Sequence, residues 1–278
     1  MQTSTHITVQ VVGENGTRTV WEGSNLLTTN GAYDWVRGAL GQHLAIGEGV
    51  HDLSPDIQEL SQYVQTAKGE YAVTQTGTLD SESGVVRSTF RLTTLFPVQE
   101  IARNFTELGI HNNNIRRLQT YALFRSTQGE PVVVTVIPGE RIQVLYDIHL
   151  TSPAKITKQY MINGTNTTVT QVMIAQQGAN SILLPGRELT AYQAPRDVPA
   201  PVQVLGTTGR LGSITGTHTE GKLQLSVSVN QWNTPQGIQL IKSSGPYEVA
   251  WHFDPPIMKT SDWLFTYTYS QEVGSSYV

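Results

Sequence analysis

Histidine is the first residue type to examine for chemistry, because imidazole serves both as a metal ligand and as a general base. The seven histidines are scattered: His6, His43, His51, His111, His149, His218 and His252. None of the short spacings that bring two histidines to one metal, such as His-x-His or His-Glu-x-x-His, occurs in the chain. Because cysteine is also absent, thiolate ligands are excluded. The sequence therefore predicts no metal site.

Two further groups of residues could hold a ligand. Asp147 and His149 are two apart in an alternating segment, so they share one face of a strand. The solvent face of a hairpin is the favoured interpretation of that pair. The segment Gly47-Glu48-Gly49-Val50-His51-Asp52 is acidic and rich in glycine, but it lacks the regularly spaced oxygen ligands of a calcium loop. A turn that ends a helix is the favoured interpretation here.

The sequence contains no catalytic constellation. It has neither a GxSxG elbow nor a GxxxxGK[ST] phosphate loop. Asp80 and Glu82 could form a glycosidase pair, but 22 acidic residues generate such pairs by chance. We therefore predict that the protein is not an enzyme and has no catalytic, cofactor-binding or metal-binding residues.

Aromatic residues are concentrated near the carboxyl terminus. They are Trp232, Trp251, Trp263, Tyr267 and Tyr269. Such side chains suit a sugar-binding platform or a protein interface, and the alternative is that they fill a sandwich core. A glycan on the host surface is thus one candidate partner, although no other feature of the sequence points to it.

Two helices are predicted near the amino terminus. Thr28, Thr29 or Asn30 can cap the first helix, and Gly47 and Gly49 end it. Its apolar residues at helical spacing are Trp35, Val36, Ala39, Leu40 and Leu44. The second helix begins at Ser54-Pro55, with proline in the first turn. Its apolar stripe is Ile57, Leu60 and Val64.

From about residue 70 onward, apolar residues alternate with polar ones, as they do earlier at Ile7, Val9 and Val11. The alternating segments are Val132–Val136, Ile142–Leu150, Leu223–Val229, Tyr247–Phe253 and Trp263–Tyr269. Pro138-Gly139 supplies a turn, so the first two segments are predicted to form a hairpin. Strands with one apolar face belong to antiparallel sheets. The predicted fold is mainly β, an antiparallel β-sandwich with one or two short amino-terminal helices.

The predicted organisation has three parts: a β-sandwich domain at 1–150, a loop and linker region at 151–201, and a second β-rich unit at 202–278. Within the middle region, Asn163–Thr168 is a polar turn and Pro195–Pro201 a linker. The segments 76–94 and 215–229 share a similar rhythm, and each is followed by a Gly-Ile dipeptide. Two related sandwich units are one interpretation; the common rhythm of antiparallel strands is the other.

Composition limits the partners. The net charge of −4 and pI of about 6.0 do not provide the basic surface that nucleic-acid binding requires. Residues 1–12 alternate and carry no continuous apolar run, which predicts neither a signal peptide nor a membrane span. Only 14% of the residues are charged. Such a surface favours contact with other proteins.

Two stretches resemble the structural proteins of tailed-bacteriophage virions. The first is Asn25-Leu26-Leu27-Thr28-Thr29-Asn30-Gly31, followed by a helix, the turn Ile46-Gly47-Glu48-Gly49 and a leucine-bearing segment at 53–60. The second runs from Phe96 to Ile110 and ends in Asn104-Phe105-Thr106-Glu107-Leu108-Gly109-Ile110. A strand at 118–125 ending in Phe-Arg follows, before the Pro-Val-Val-Val segment at 131–134.

The resemblance covers roughly residues 24–150 and leaves 151–278 unplaced. It implies a non-enzymatic part of a tail, neck or appendage, located in the virion after synthesis in the host cytoplasm. The implied partners are copies of the chain itself and other virion proteins, with no nucleic acid, membrane or cofactor. A capsid decoration protein and a carbohydrate-binding module are the alternatives.

Overall fold

The computed structural model describes residues 2–36, 40–80, 84–175, 188–193, 203–208, 212–216, 220–227, 232–244, 247–262 and 265–272. In chain order the elements are β1 (Gln2–Gly13), β2 (Gly16–Gly23), β3 (Leu26–Leu27), α1 (Thr29–Val36), β4 (His43–Gly47), β5 (Tyr63–Lys68), β6 (Glu70–Asp80), β7 (Val85–Leu95), β8 (Arg103–Phe105), β9 (Glu107–His111), β10 (Leu118–Leu123), β11 (Val134–Val136), β12 (Arg141–Pro153), β13 (Lys155–Ile162), β14 (Thr165–Ala175), β15 (Glu188–Gln193), β16 (Gln203–Thr208), β17 (Gly212–Gly216), β18 (Glu220–Val227), β19 (Thr234–Ser244), β20 (Tyr247–Lys259) and β21 (Phe265–Glu272). The fold is mainly β, as the sequence predicts.

Two five-stranded antiparallel sheets dominate the first half of the chain. Sheet A has the strand order β2-β1-β12-β7-β6, and sheet B has the order β3-β10-β9-β4-β5. The alternating residues Ile7, Val9 and Val11 of β1 are buried in one hydrophobic core with Leu44, Ile46, Leu108 and Ile110 of sheet B. Each sheet therefore contributes one apolar face to a shared core, which is the sandwich arrangement that the alternating pattern predicts.

Helix α1 confirms the first predicted helix only in part. Thr28 caps it, because the Thr28 hydroxyl accepts a 2.9 Å hydrogen bond from the Gly31 N–H. The helix is described as far as Val36, and residues 37–39 lie outside the described part of the chain. Leu44, predicted to lie on this helix, belongs instead to strand β4.

The second predicted helix, starting at Ser54-Pro55, is wrong. Residues 51–62 contain turns and irregular backbone, and Val64 lies in strand β5. Ile57 and Leu60 are buried as an apolar stripe would be, but they pack against sheet B from an irregular segment. Three apolar residues at helical spacing can cover a sheet without any helix, so the stripe alone does not decide the backbone conformation.

The predicted hairpin across Pro138-Gly139 is also wrong, although both strands and the turn exist. Strand β11 pairs with β8, whereas β12 pairs with β1 on one side and β7 on the other. Backbone hydrogen bonds from Gly139 to Gln99 and from Gln99 to Glu140 hold the turn against residues 96–102. Alternation identifies the buried face of a strand but not its neighbour in the sheet.

The second half of the described chain forms a six-stranded sheet, β13-β14-β20-β19-β15-β16, and a three-stranded sheet, β17-β18-β21. Val249, Trp251 and Phe253 are buried while His252 is exposed, as their alternation predicts. The prediction of a loop and linker at 151–201 does not hold for β13, β14 and β15. Asn163-Gly164 forms the predicted turn, and Thr165–Thr168 belong to β14. The predicted linker Pro195–Pro201 lies outside the described residues.

Gly31 gives a test of how closely α1 packs against sheet B. A β-carbon at Gly31 would lie 1.8 Å from the carbonyl oxygen of Gln119 in β10. Gly31→Ala should therefore destabilise the protein by about 3 kcal/mol through this clash, although alanine normally favours a helix over glycine by about 1 kcal/mol. The urea unfolding midpoint measures the change. Asn30→Ala in the same helix is the control and should change stability by less than about 0.5 kcal/mol.

Candidate functional site

Two conspicuous motifs of the sequence, some sixty residues apart, meet in sheet B. Strand β4 ends in Ile46-Gly47, and it pairs with β9 so that Gly47 lies directly opposite Glu107. The turn Gly47-Glu48-Gly49 thus adjoins the segment Thr106-Glu107-Leu108-Gly109. This turn ends a strand, so the prediction that it ends a helix is wrong.

Glu107 is the centre of this junction. Its side chain is 0% exposed, and its carboxylate accepts four hydrogen bonds. Oε1 accepts the N–H groups of Gln62 at 2.9 Å and Gly49 at 3.3 Å. Oε2 accepts the Ser61 N–H at 3.1 Å and the Tyr121 hydroxyl at 2.9 Å. A buried carboxylate that is fully hydrogen-bonded in this way is a structural group, because no lone pair remains for a substrate or metal.

The neighbours of Glu107 complete the junction. The Thr106 N–H donates to the Gly47 carbonyl at 3.0 Å, and the Thr106 hydroxyl donates to the Gly49 carbonyl at 2.6 Å. Glu48 accepts the Asn104 N–H at 3.2 Å and lies 3.5 Å from the Arg103 guanidinium. The acidic side chain that suggested a cation loop is therefore already engaged within the protein.

Residues 48–62, which we call the cover segment, lie over the outer face of sheet B. Ile57 and Leu60 pack there in a small apolar cluster whose other members are Ala45, Leu118, Tyr121 and Leu123. The Tyr121 hydroxyl accepts the His51 N–H at 3.1 Å while donating to Glu107. The cover segment is thus held by apolar contact in its middle and by the Glu107 junction at both ends.

The structure brings together two histidines that sequence spacing left apart. His43 of β4 lies directly opposite His111 of β9, and their rings stack with centroids 5.4 Å apart. Burial, with a smaller contribution from His43, lowers the pKa of His111 to about 4. Among the described residues, no cluster of three or more histidine, aspartate or glutamate side chains could hold a metal ion.

Asp147 and His149 share a face of β12, as predicted, but each is paired across sheet A. Arg91 donates two hydrogen bonds to the Asp147 carboxylate, at 2.7 and 2.6 Å, and this contact raises the pKa of Arg91. The Nδ1 atom of His149 lies 2.9 Å from the Thr89 hydroxyl, and burial lowers the pKa of His149. These two side chains are committed to cross-strand pairs.

The remaining candidates from the sequence, the carboxyl-terminal aromatic residues and the pair Asp80 and Glu82, lie in different surroundings. Trp232 and Trp251 are buried, and Trp251 donates its ring N–H to Gln171 at 3.2 Å. Trp263 and Glu82 lie outside the described residues, and Asp80 ends strand β6. Tyr267 and Tyr269 lie on β21.

Three exposed apolar side chains lie in the segments beside the small β8–β11 sheet. Val98, Ile101 and Ile137 are 52%, 58% and 53% exposed, and we call them the rim patch. The backbone bonds between Gln99 and the 139–140 turn hold the two segments of this patch side by side. Sequence alternation did not identify these residues, because they belong to segments outside the regular strands.

No known protein family, curated protein or solved structure matches this chain. Within the described part of the chain, α1 is the one helix, and nothing helical there has the length and apolar character to cross a membrane.

The role of Glu107 can be tested by replacing one acceptor oxygen with a donor. In Glu107→Gln, the amide NH2 would face an N–H or hydroxyl donor, and the charge that strengthens these bonds would be lost. We expect a loss of about 2–4 kcal/mol in the free energy of unfolding, measured by urea denaturation. Glu59→Gln, in the exposed part of the cover segment, is the matched control and should change stability by less than about 0.5 kcal/mol. Equal stability of the two variants would contradict the structural role of Glu107.

Proposed function

We propose that this protein is a non-enzymatic structural component of a tailed-bacteriophage particle, positioned in the tail, neck or an appendage. The observation that carries the proposal is the junction at Glu107. The two segments that resemble phage virion proteins, Ile46–Gly49 and Asn104–Ile110, are joined there by reciprocal hydrogen bonds. Because the residues of the two motifs are hydrogen-bonded to one another, the motifs form one structural unit. A chance likeness of two separate short motifs is therefore a weaker explanation of the resemblance.

The chemistry of the described residues is consistent with a structural role. The carboxylates that attracted attention in the sequence, Glu48, Glu107 and Asp147, are bound to partners within the chain. The exposed rim patch offers apolar area for contact with a neighbouring protein. Few charges on the chain as a whole keep the desolvation cost of such a contact low.

The carbohydrate-binding alternative loses two of its aromatic side chains, because Trp232 and Trp251 are buried. It would depend on Trp263, Tyr267 and Tyr269. Capsid decoration is the other structural alternative, and the position of an antibody label on the particle distinguishes it from a place in the tail or neck.

Purification of particles from cells that express the chain tests the proposal. The protein should co-purify with particles through a density gradient, and an antibody against it should label one fixed position in negative-stain images. In the particle each copy should bury more than about 1,000 Å² against its neighbours. Recovery of the protein only from the soluble fraction of the host, with unlabelled particles, would refute the proposal.

The rim patch supplies a mutational test of the same assembly. Ile101→Asp combined with Ile137→Asp places charge where apolar contact is expected, so incorporation into particles should fall at least tenfold. Both side chains are more than half exposed, so the unfolding midpoint of the isolated protein should hardly change. Quantitative mass spectrometry of purified particles measures incorporation. Thr127→Asp combined with Gln128→Asp, which adds the same two negative charges at an exposed turn, should leave incorporation unchanged.

A further inference from the structure

The stacked pair His43–His111 has an unusual hydrogen-bonding state. The Nδ1 atoms of both rings are buried and have no hydrogen-bond partner among the described residues. The side chain of His111 as a whole is 2% exposed. Buried polar atoms of proteins are nearly always paired, so two unpaired ring nitrogens side by side call for a physical explanation.

Thr66 fixes the protonation of His111. The Thr66 hydroxyl donates its one hydrogen to the Leu44 carbonyl at 2.9 Å. The same oxygen lies 2.9 Å from Nε2 of His111, so the imidazole must be the donor in that second contact. His111 therefore carries its hydrogen on Nε2, and its Nδ1 is a bare lone pair. Protonation of His111 would place a new hydrogen on Nδ1, for which no described residue provides an acceptor, and a positive charge beside His43.

In the part of the chain that the structure describes, the neighbouring elements do not compensate this charge. On β5, Lys68 lies opposite His43 and is itself cationic. On β9, Glu107 lies four residues away on the same face, and its oxygens are occupied by four donors. Arg117, next to the start of β10, is paired with Asp34 at 2.9 Å, and His51 of the cover segment packs edge-on against Tyr121.

Strand β5 is the element whose release would hydrate a charged His111 ring at the lowest cost in free energy. Within the described residues it is the last strand of sheet B and pairs only with β4. It also carries Thr66 and continues directly from the cover segment. Edge elements open at lower free energy than central strands. Their opening would let water reach both rings.

We propose that the His43–His111 pair is a proton-operated lock, in which protonation of His111 releases strand β5 and the cover segment and exposes the apolar residues beneath them. Those residues are Ala45, Leu118, Tyr121 and Leu123. The lock converts a fall in pH into the appearance of an apolar surface on the outer face of sheet B. It does not depend on the function proposed above.

The direction of the pH dependence follows from the pKa of His111. The ordinary histidine pKa of about 6.5 applies when the segment is open, and the pKa of about 4 applies when it is closed. The open state therefore binds more protons between these values, and acid favours opening. For one proton the opening equilibrium rises by at most about tenfold for each pH unit lost.

A single cysteine provides the probe, because the chain has none of its own. Leu60→Cys places a thiol in the buried part of the cover segment, and Glu59→Cys places one on its exposed side. The measured quantity is the labelling rate at position 60 divided by that at position 59, with dithiodipyridine, which reacts with thiols in acid as well as at neutral pH. The ratio corrects for the pH dependence of the reagent. We expect it to rise about tenfold or more between pH 6.5 and pH 5.

In a His111→Gln background the ratio should stay constant over this range, because the amide can still donate to Thr66 but cannot titrate. His149→Gln is the matched control, since His149 also contacts a threonine hydroxyl but lies on sheet A. It should retain the full acid response. A ratio that does not change with pH in the parent protein, or an undiminished response in His111→Gln, would overturn the lock.

Nitrogen NMR of the unsubstituted protein gives the same test if His111→Gln does not fold. The His111 ring should carry its proton on Nε2 at neutral pH, and the amides of the cover segment should lose exchange protection as the ring becomes charged. A His111 that titrates near pH 6.5 while these amides remain protected would refute the proposal.

Discussion

The buried carboxylate of Glu107 is the constraint on which sheet B and its cover depend. Its four hydrogen bonds include three backbone N–H groups of the cover segment, at Gly49, Ser61 and Gln62. Buried backbone donors normally find acceptors within helices or sheets. Here one side chain supplies them, so fifteen residues (48–62) can lie over a sheet without regular structure. Removal of the carboxylate would take the acceptor from three partly buried backbone donors at once, which is costly.

Small residues make this arrangement sterically possible. A β-carbon at Gly47 would lie 2.5 Å from a carboxylate oxygen of Glu107 and 2.6 Å from the Gln62 carbonyl. At Gly109 it would lie 2.7 Å from the Thr120 carbonyl. Both glycines belong to the motifs that resemble phage virion proteins. Their role in this chain is to allow close approach of the backbone, because a side chain at either position would collide with its neighbours.

The same outer face of sheet B carries a group that destabilises it in acid. At one end of this face, the Glu107 carboxylate has its hydrogen bonds satisfied. At the other end, the rings of His43 and His111 leave two buried nitrogens without a partner among the described residues. The contrast explains why opening should begin at β5 and spread into the cover segment. A buried imidazole is tolerated at neutral pH because it can remain uncharged, and this tolerance ends when protons become abundant.

Local periodicity in the sequence determined the mainly β fold, the buried faces of β1 and β20, and a cap of α1 at Thr28, Thr29 or Asn30, of which the structure uses Thr28. These features depend on neighbouring residues, since side chains alternate along any strand and a cap needs only the next turn. The sequence also contained both motifs of the Glu107 junction, but nothing in it indicated that they touch. Tertiary structure alone decided that Ile57 and Leu60 cover a sheet instead of forming a helix, that β11 and β12 join different sheets, and that His43 meets His111. Each of these outcomes depends on which strands become neighbours, and strand pairing is set by the packing of the whole chain, which local spacing does not encode.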